Sequence, residues 1–284
     1  MAELPSYLST PERAWHYGFR VLCALIFFFL IFPLVVIIPL SFNAVPYFTF
    51  TKEMLAFDPA GYSLKWYEDF FTNLNWQGAV RNSVIIAFFA TLLSTSLGTL
   101  AALGLSRPTM PAKTLVMSIL ISPMIVPLII SAAGMFFFYS RIGLQGTYVG
   151  VILAHAALGT PFVVITVTAT LVGFDNSLIR AASSLGASPP TTFFKVIVPL
   201  ILPGVISGAL FAFITSFDEV VVVLFVGSFN QRTIPWQMFS GIREHISPTI
   251  LAVATILVFV SIALLVSVEL LRRRGERLRG IQAT

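Results

Sequence analysis

The residues best suited to chemistry in this chain are two adjacent carboxylates in an apolar run. The stretch SFDEVVVVLFVG sets Asp218 and Glu219 among residues that suit the interior of a bilayer. An ionised side chain in hydrocarbon is costly, so such residues usually face a protein interior or an aqueous path. A carboxylate on a path suits a cationic solute, because it attracts an ammonium group and replaces part of its lost hydration. Phe217 or Trp236 could add cation–π attraction. The other reading is structural: a salt bridge or a hydrogen-bonded carboxyl that ties helices together. Neighbouring helical residues point about 100° apart, so the two acids need not share a role, and both could bind only if the helix unwinds locally. His155, in another apolar run, has the same two readings, a substrate contact or a satisfied donor to a neighbouring helix.

Other chemistry is sparse. Cys23 is the only cysteine and lies in an apolar run, so neither an internal disulfide nor a cysteine metal site can form. There is no zinc or calcium pattern, and no glycine-rich phosphate loop followed by Lys and Ser or Thr. The expectation is a chain that is not an enzyme, binds no cofactor or metal, and leaves any use of ATP to another subunit.

The elements that must position these residues are membrane spans. The chain has 284 residues, 57% of them hydrophobic and only 10% charged, against roughly 25% charged in an average soluble domain. A helix needs about 20 apolar residues to cross the hydrocarbon core. Six stretches qualify, near 21–40, 82–105, 115–139, 147–172, 200–226 and 248–271, and predict an all-α polytopic membrane protein with six transmembrane helices. The first lacks the features of a cleaved signal and is expected to stay in place. Residues 1–20 form an N-terminal segment, 21–271 the transmembrane domain, and 272–284 a basic tail. Between spans one and two lies a polar loop, 41–76, with a helix predicted from Leu64 to Phe71 and Ser63 as its cap. A further short helix is predicted around Trp236. Pro33 and Pro39 should kink span one. Pro123 and Pro127 mark span three as distorted, along a moving pathway or simply where packing tolerates kinks. Gly98 and its small neighbours permit close helix packing.

Charge placement sets the orientation. With six spans both termini share one side. That side holds Arg13, Arg20, Arg107, Lys113, Arg180, Lys195 and the five arginines of the tail (Arg272, Arg273, Arg274, Arg277, Arg279), eleven in all, against six on the other side. The richer side belongs in the cytoplasm, which also places segment 173–199 there.

That segment, GFDNSLIRAASSLGASPPTTFFKVIVP, is built like two short helices. Asp175, Asn176 and Ser177 can cap a helix start. Leu178, Ala181, Ala182 and Leu185 then fall on one face. Gly186 suits the left-handed residue past a helix end, and Ser188 followed by Pro189 restarts a helix. Nothing here is catalytic; the pattern is that of a docking element.

The same segment resembles the EAA loop of bacterial ABC importer permeases. Ala181, Ala182, Gly186, Ala187, Phe193, Ile197 and Pro199 match, while Arg180 stands where the motif has Glu. The resemblance extends to SLKWYEDFF in the outer loop, RNSVIIA at the start of span two and SFDEVVV in span five, stretches similar to those of the polyamine-type branch, which handles spermidine and putrescine. It implies a type I ABC importer permease fold in the bacterial inner membrane. Residues Arg180, Ala181, Ala182, Leu185, Gly186, Ala187 and Ser188 would dock into the ATPase. The implied partners are a homologous second permease, two copies of an ATPase that binds ATP and Mg, and an extracytoplasmic solute-binding protein, toward which the outer loop could turn; sealing the outer surface is its other reading. Other readings remain open: uptake of another small organic solute such as an opine, an amino-acid-like compound or a phosphonate; an ion-coupled secondary transporter, which inverted repeats would favour although the sequence displays none; and a non-transporting scaffold.

Overall fold

A computed structural model describes residues 10–107, 109–172, 174–175, 177–244 and 247–278. The expectations at Gly173, Asn176 and Arg279, and for residues 1–9, lie outside the described residues. The chain divides into two compact units, Leu74–Ser240 and the two terminal segments together.

In the first unit, α4 (Leu74–Leu105), α7 (Tyr148–Val172) and α10 (Val198–Phe217) pack against one another. Small residues bring them close. A Cβ added at Gly98 would sit 2.7 Å from the Cβ of Val163, and one at Gly208 would sit 2.8 Å from its Cα. Val163 is thus gripped between two backbones, a contact of the small-residue kind that spares helices the need for a hydrophobic driving force in lipid. Ala102, Val163, Val167, Ile201 and Ala212 form the core there. A second core gathers Ile86, Ala132, Tyr139, Val151, Ala154, Leu158, Val222, Val223 and Val226.

Two expected spans are broken. Span three is not one distorted helix but two, α5 (Lys113–Ile125) and α6 (Leu128–Ile142), bent by 103°. Pro127 explains the position of the break: it has no N–H to offer the carbonyl of Pro123, and it disfavours helical backbone at Val126, which is extended. Span five does not run unbroken to Val226 either. Its apolar helix begins earlier than expected, at Pro189, and ends at Phe217. A separate helix, α11, covers Val221–Val226. The segment after it is tied to α4 and α7. Asn82 donates to the carbonyls of Asn230 (2.9 Å) and Arg232 (2.8 Å), Tyr148 donates to Asn82 Oδ1 (2.7 Å), and Ile234 N donates to Ser83 Oγ (2.8 Å). The helix expected around Trp236 is α12 (Ile234–Glu244).

In the terminal unit, α1 (Thr10–Leu40) runs as one helix through Pro33 and Pro39. Between it and α4 come α2 (Lys52–Leu55), a 3₁₀ turn at Pro59–Gly61 and α3 (Lys65–Thr72). Asn43 organises this segment: its amide donates to the carbonyls of Tyr47 and Thr49, and its own carbonyl accepts from Trp66 Nε1 at 2.6 Å. Leu64, not Ser63, is the N-cap of α3, and no side chain caps it; Ser63 Oγ accepts only from Lys65 N, at 3.3 Å. From α13 (Thr249–Leu278), Thr249 donates to Asp69 Oδ2 at 2.7 Å.

Among the described residues, four helices are long and apolar enough to cross a membrane, and five if the bent α5–α6 pair counts as one span, rather than the six expected. The sixth expectation falls on α13, whose described apolar part, Thr249–Ala263, is shorter than a crossing.

Gly208→Ala places a methyl group against Val163 and Thr166, and overpacking of this kind costs about 1–3 kcal/mol. Thermal melting in detergent should show a lowered midpoint. Gly134→Ala, whose methyl meets nothing within 4 Å, serves as the control; equal midpoints for the two variants would contradict the packing described.

Candidate substrate groove and coupling hairpin

The break in span five turns on Glu219. Helix α11 begins at Val221, and its first amides need acceptors that an apolar surrounding cannot supply. Glu219 supplies them. Its Oε1 accepts from Val221 N at 2.8 Å, and its Oε2 from Val222 N at 2.8 Å and Val223 N at 3.3 Å. The residue is only 6% exposed. His155, fully buried on α7, approaches from the other side: its Nε2 lies 3.6 Å from Glu219 Oε2, and its Nδ1 is 2.8 Å from Ser216 Oγ. Ser216, His155 and Glu219 are thus gathered as buried polar groups at the break, with His155 Nε2 beyond hydrogen-bond distance of the carboxylate.

Asp218 is placed differently. It is the C-cap residue of α10, with φ −91° and ψ −2°, and its N–H donates to Ile214 O at 3.0 Å. Its side chain is exposed. It opens into a groove of about 460 Å³ lined by Pro123 and Met124 of α5, Leu128 of α6, Leu158 and Phe162 of α7, and Ile214 to Val221 in part. The breaks in spans three and five therefore meet at one groove.

The other expected site residues fall elsewhere. Phe217 stacks on Phe213, with ring centroids 5.6 Å apart. Trp236 lies against the Arg232 guanidinium, 4.0 Å from its ring centroid, and beside the second core. Neither lines the groove, nor does His155, which reaches it only through Glu219. The groove's aromatic is Phe162, stacked on Phe211 at 6.0 Å. Phe162, Met124 and Leu158 gave no sign in the sequence, since an apolar residue in an apolar span carries no positional signal. Ser216 did carry one, two residues before Asp218 in the same polar island.

The docking segment has the two-helix form. Asp175 caps α8 (Ser177–Ser184): its Oδ1 accepts from Ser177 N at 2.8 Å and its Oδ2 from Ser177 Oγ at 2.5 Å. The Ser177 hydroxyl first, then the Ser177 amide, hold this carboxyl below the usual carboxylate range. Gly186 has φ +77°; Ala187 N donates to Ala182 O and Gly186 N to Ser183 O, both at 3.0 Å, the paired bonds of a Schellman ending. Ser188 and Pro189 open α9 (Pro189–Thr192), which passes through a π-helical turn, Phe193–Ile197, into α10. Of the apolar face, Ala182 is buried, whereas Leu178, Ala181 and Leu185 are exposed, Leu185 to 88%. Arg180, Gly186 and Ser188 are exposed as well, and Ala187 is half-buried.

Residues 94–277 match the family of binding-protein-dependent transport system inner membrane components. The spermidine/putrescine transport system permease protein PotC of Haemophilus influenzae is 34% identical over 251 residues, covering 88% of this chain and 95% of that one. The putrescine transport system permease protein PotI of Escherichia coli K12 is 29% identical over 271 residues, covering 92% and 94%. The crystal structure of a bacterial ABC transporter involved in the import of the acidic polysaccharide alginate has a chain of the same fold, with TM-score 0.70 at 16% identity, covering 95% of this chain and 99% of that one. The protein is thus an all-α, multi-pass inner-membrane permease of ABC-importer type. It belongs to the family of binding-protein-dependent transport system inner membrane components and is homologous to the polyamine permeases PotC and PotI. It is a non-catalytic transport subunit, not the ATP-binding component.

Glu219→Ala strips three amides of their acceptor and should cost on the order of 2–3 kcal/mol. Asp218→Ala, which removes an exposed side chain, should stay within about 0.5 kcal/mol. Comparing the unfolding midpoints of the two variants checks this; equal losses would show that the cap carries no weight.

Proposed function

We propose that this chain is one of two permease halves of an ATP-driven importer for a polyamine-type cation, crossing the membrane six times with both termini in the cytoplasm. The hairpin at 173–199 docks into one of two ATPase copies. The outer segment 41–76 faces an extracytoplasmic solute-binding protein, and the second half of the pathway is a homologous permease. The observation that carries this reading is the hairpin itself: a capped, Schellman-terminated helix that presents Leu178 and Leu185 away from its own protein. An apolar face held in a fixed shape but left uncovered is suited to a partner.

The distribution of Lys and Arg supports the orientation. The sixth crossing is α13, which continues as helix to Leu278. The names of the two polyamine permeases, matched over nearly their full lengths, support the solute, as does a carboxylate at the groove. A second solute class is favoured by one observation: an osmoprotective compounds uptake permease protein, GgtD of Synechocystis, is 34% identical, though over only 51% of this chain.

The test is reconstitution of the chain with its partner permease, ATPase and solute-binding protein. ATP inside the assay should drive accumulation of labelled spermidine, and excess putrescine should compete while an uncharged osmolyte should not. Accumulation by the chain without an ATPase would overturn the reading, and competition by the osmolyte alone would move the solute to the second class. Within that complex, Gly186→Val should impair assembly or coupled uptake, because a β-branched residue at φ +77° costs about 1–2 kcal/mol. Normal assembly with fully coupled uptake would contradict the hairpin's role.

A further inference from the structure

A turn in the segment between α1 and α4 is held in one shape and puts its largest side chain outside. Helix α2 begins at Thr51, whose Oγ1 accepts from Met54 N at 3.2 Å. It ends in a Schellman pair: Asp58 N donates to Glu53 O at 2.8 Å, and Phe57 N to Met54 O at 3.1 Å. Asp58 Oδ1 then accepts from Ala60 N at 2.9 Å, and the Tyr62 hydroxyl donates to Met54 O at 3.1 Å. Met54 is buried. Phe57 takes the left-handed position of the turn, with φ +55°. Glycine suits that position, and a residue with a Cβ is strained there. Packing within the chain does not offset the strain, since Phe57 is 83% exposed and Leu55 68%. Tyr47, Phe48 and Phe50, just ahead of the turn, are exposed as well. A strained residue that persists in a rigid turn is reason to look for what its side chain meets.

We propose that the turn 51–58 is seated in the headgroup layer of the outer leaflet, with Leu55 and Phe57 reaching toward the acyl chains. This goes beyond the proposed function and takes from it only the side of the membrane. Two observations choose lipid as the occupant. The first is the level at which the turn is held. The apolar run from Val21 to Leu40, at 1.5 Å per residue, covers about 30 Å, the thickness of the hydrocarbon core. Its outer end is therefore the boundary of that core, and the turn is fastened just past it: Ala44 N donates to Gly61 O at 3.0 Å, and Ser63 N to Phe42 O at 2.6 Å. The second is continuity. The most apolar stretch of α1 has no buried residue, so the surface that leads up to the turn is already one suited to lipid. Aromatic side chains at that level match the belt that membrane proteins place among headgroups, and the exposed Lys52 and Glu53 beside them leave a polar side for water. The ring of Phe57 then finds in lipid the apolar contact that its own chain does not provide.

The test uses the complete importer in phospholipid vesicles, with Cys23 replaced by Ala and the partner subunits free of reactive thiols. A nitroxide is attached to Phe57→Cys, and its collisions with oxygen, which concentrates in lipid, are compared with those of a water-soluble nickel chelate. Leu55→Cys makes the same measurement outside the strained position, so the test stands if Phe57→Cys does not assemble. At both sites collisions with oxygen should exceed those with the chelate, and added solute-binding protein should leave both rates unchanged. Chelate collisions in excess would put the turn in water and overturn the proposal. Protection from both reagents would also overturn it: if present throughout, it assigns the surface to the second permease, and if it appears only with the solute-binding protein, to that protein. The chelate is supplied on both sides of the bilayer, so a wrong orientation of the chain leaves this measurement intact and the two readings fail separately.

Discussion

Glu219 accepting three backbone amides is the interaction on which the rest of the site depends. A helix that stops and restarts within apolar surroundings exposes donors at the restart, and unpaired they would cost several kcal/mol each. Placing a carboxylate immediately before α11 meets that cost locally. The break can then exist without water, and with it come the free end of α10 and the outward turn of Asp218. His155 of α7 packs beside the carboxylate and bonds Ser216 of α10 through its Nδ1, so the break lies against the packed α7 and α10 helices. The proline pair in span three produces the facing break by the opposite means, removing a donor instead of adding an acceptor.

The groove and the hairpin are two ends of one rod. From Pro189 to Phe217 the chain is helical for 29 residues, roughly 40 Å at 1.5 Å per residue. One end follows the exposed turn at Gly186; the other carries Asp218. Along its length Gly204 and Gly208 bring its backbone against α7. In the proposed importer, motion imposed on the hairpin by an ATPase would arrive at the groove through this rod, with no separate linkage needed.

Much of this was legible in the residues, and for identifiable reasons. The apolar runs located the long helices, because crossing length and hydropathy are properties of a segment alone. Asp175, Gly186 and Ser188–Pro189 located the hairpin, because caps and left-handed turns are local. The two breaks were legible only in part. Pro123 and Pro127 signalled distortion but not a 103° bend, and the acidic pair allowed for local unwinding without requiring it. Which carboxylate would be buried was not legible at all: that depends on whether α11 starts at Val221, and the valines that follow fit equally well as a continuation of α10. Phe217 and Trp236 looked suited to a cation by type, yet stacking on Phe213 and on Arg232 takes them elsewhere. The groove's walls come from α5, α6, α7 and α10, a grouping that only tertiary packing makes.

The most direct measurement of the central claim, that the segment around Gly186 is an inward-facing handle for a separate motor, is cysteine crosslinking at Leu185. With Cys23 replaced by Ala, Leu185→Cys is the only thiol in the chain. In intact cells expressing the whole importer, the account predicts protection from a membrane-impermeant thiol reagent and, with a membrane-permeant bis-maleimide, a crosslink to a cysteine placed in the ATPase surface cleft. Labelling of Leu185→Cys from outside the cell, with no crosslink to the ATPase, would contradict it.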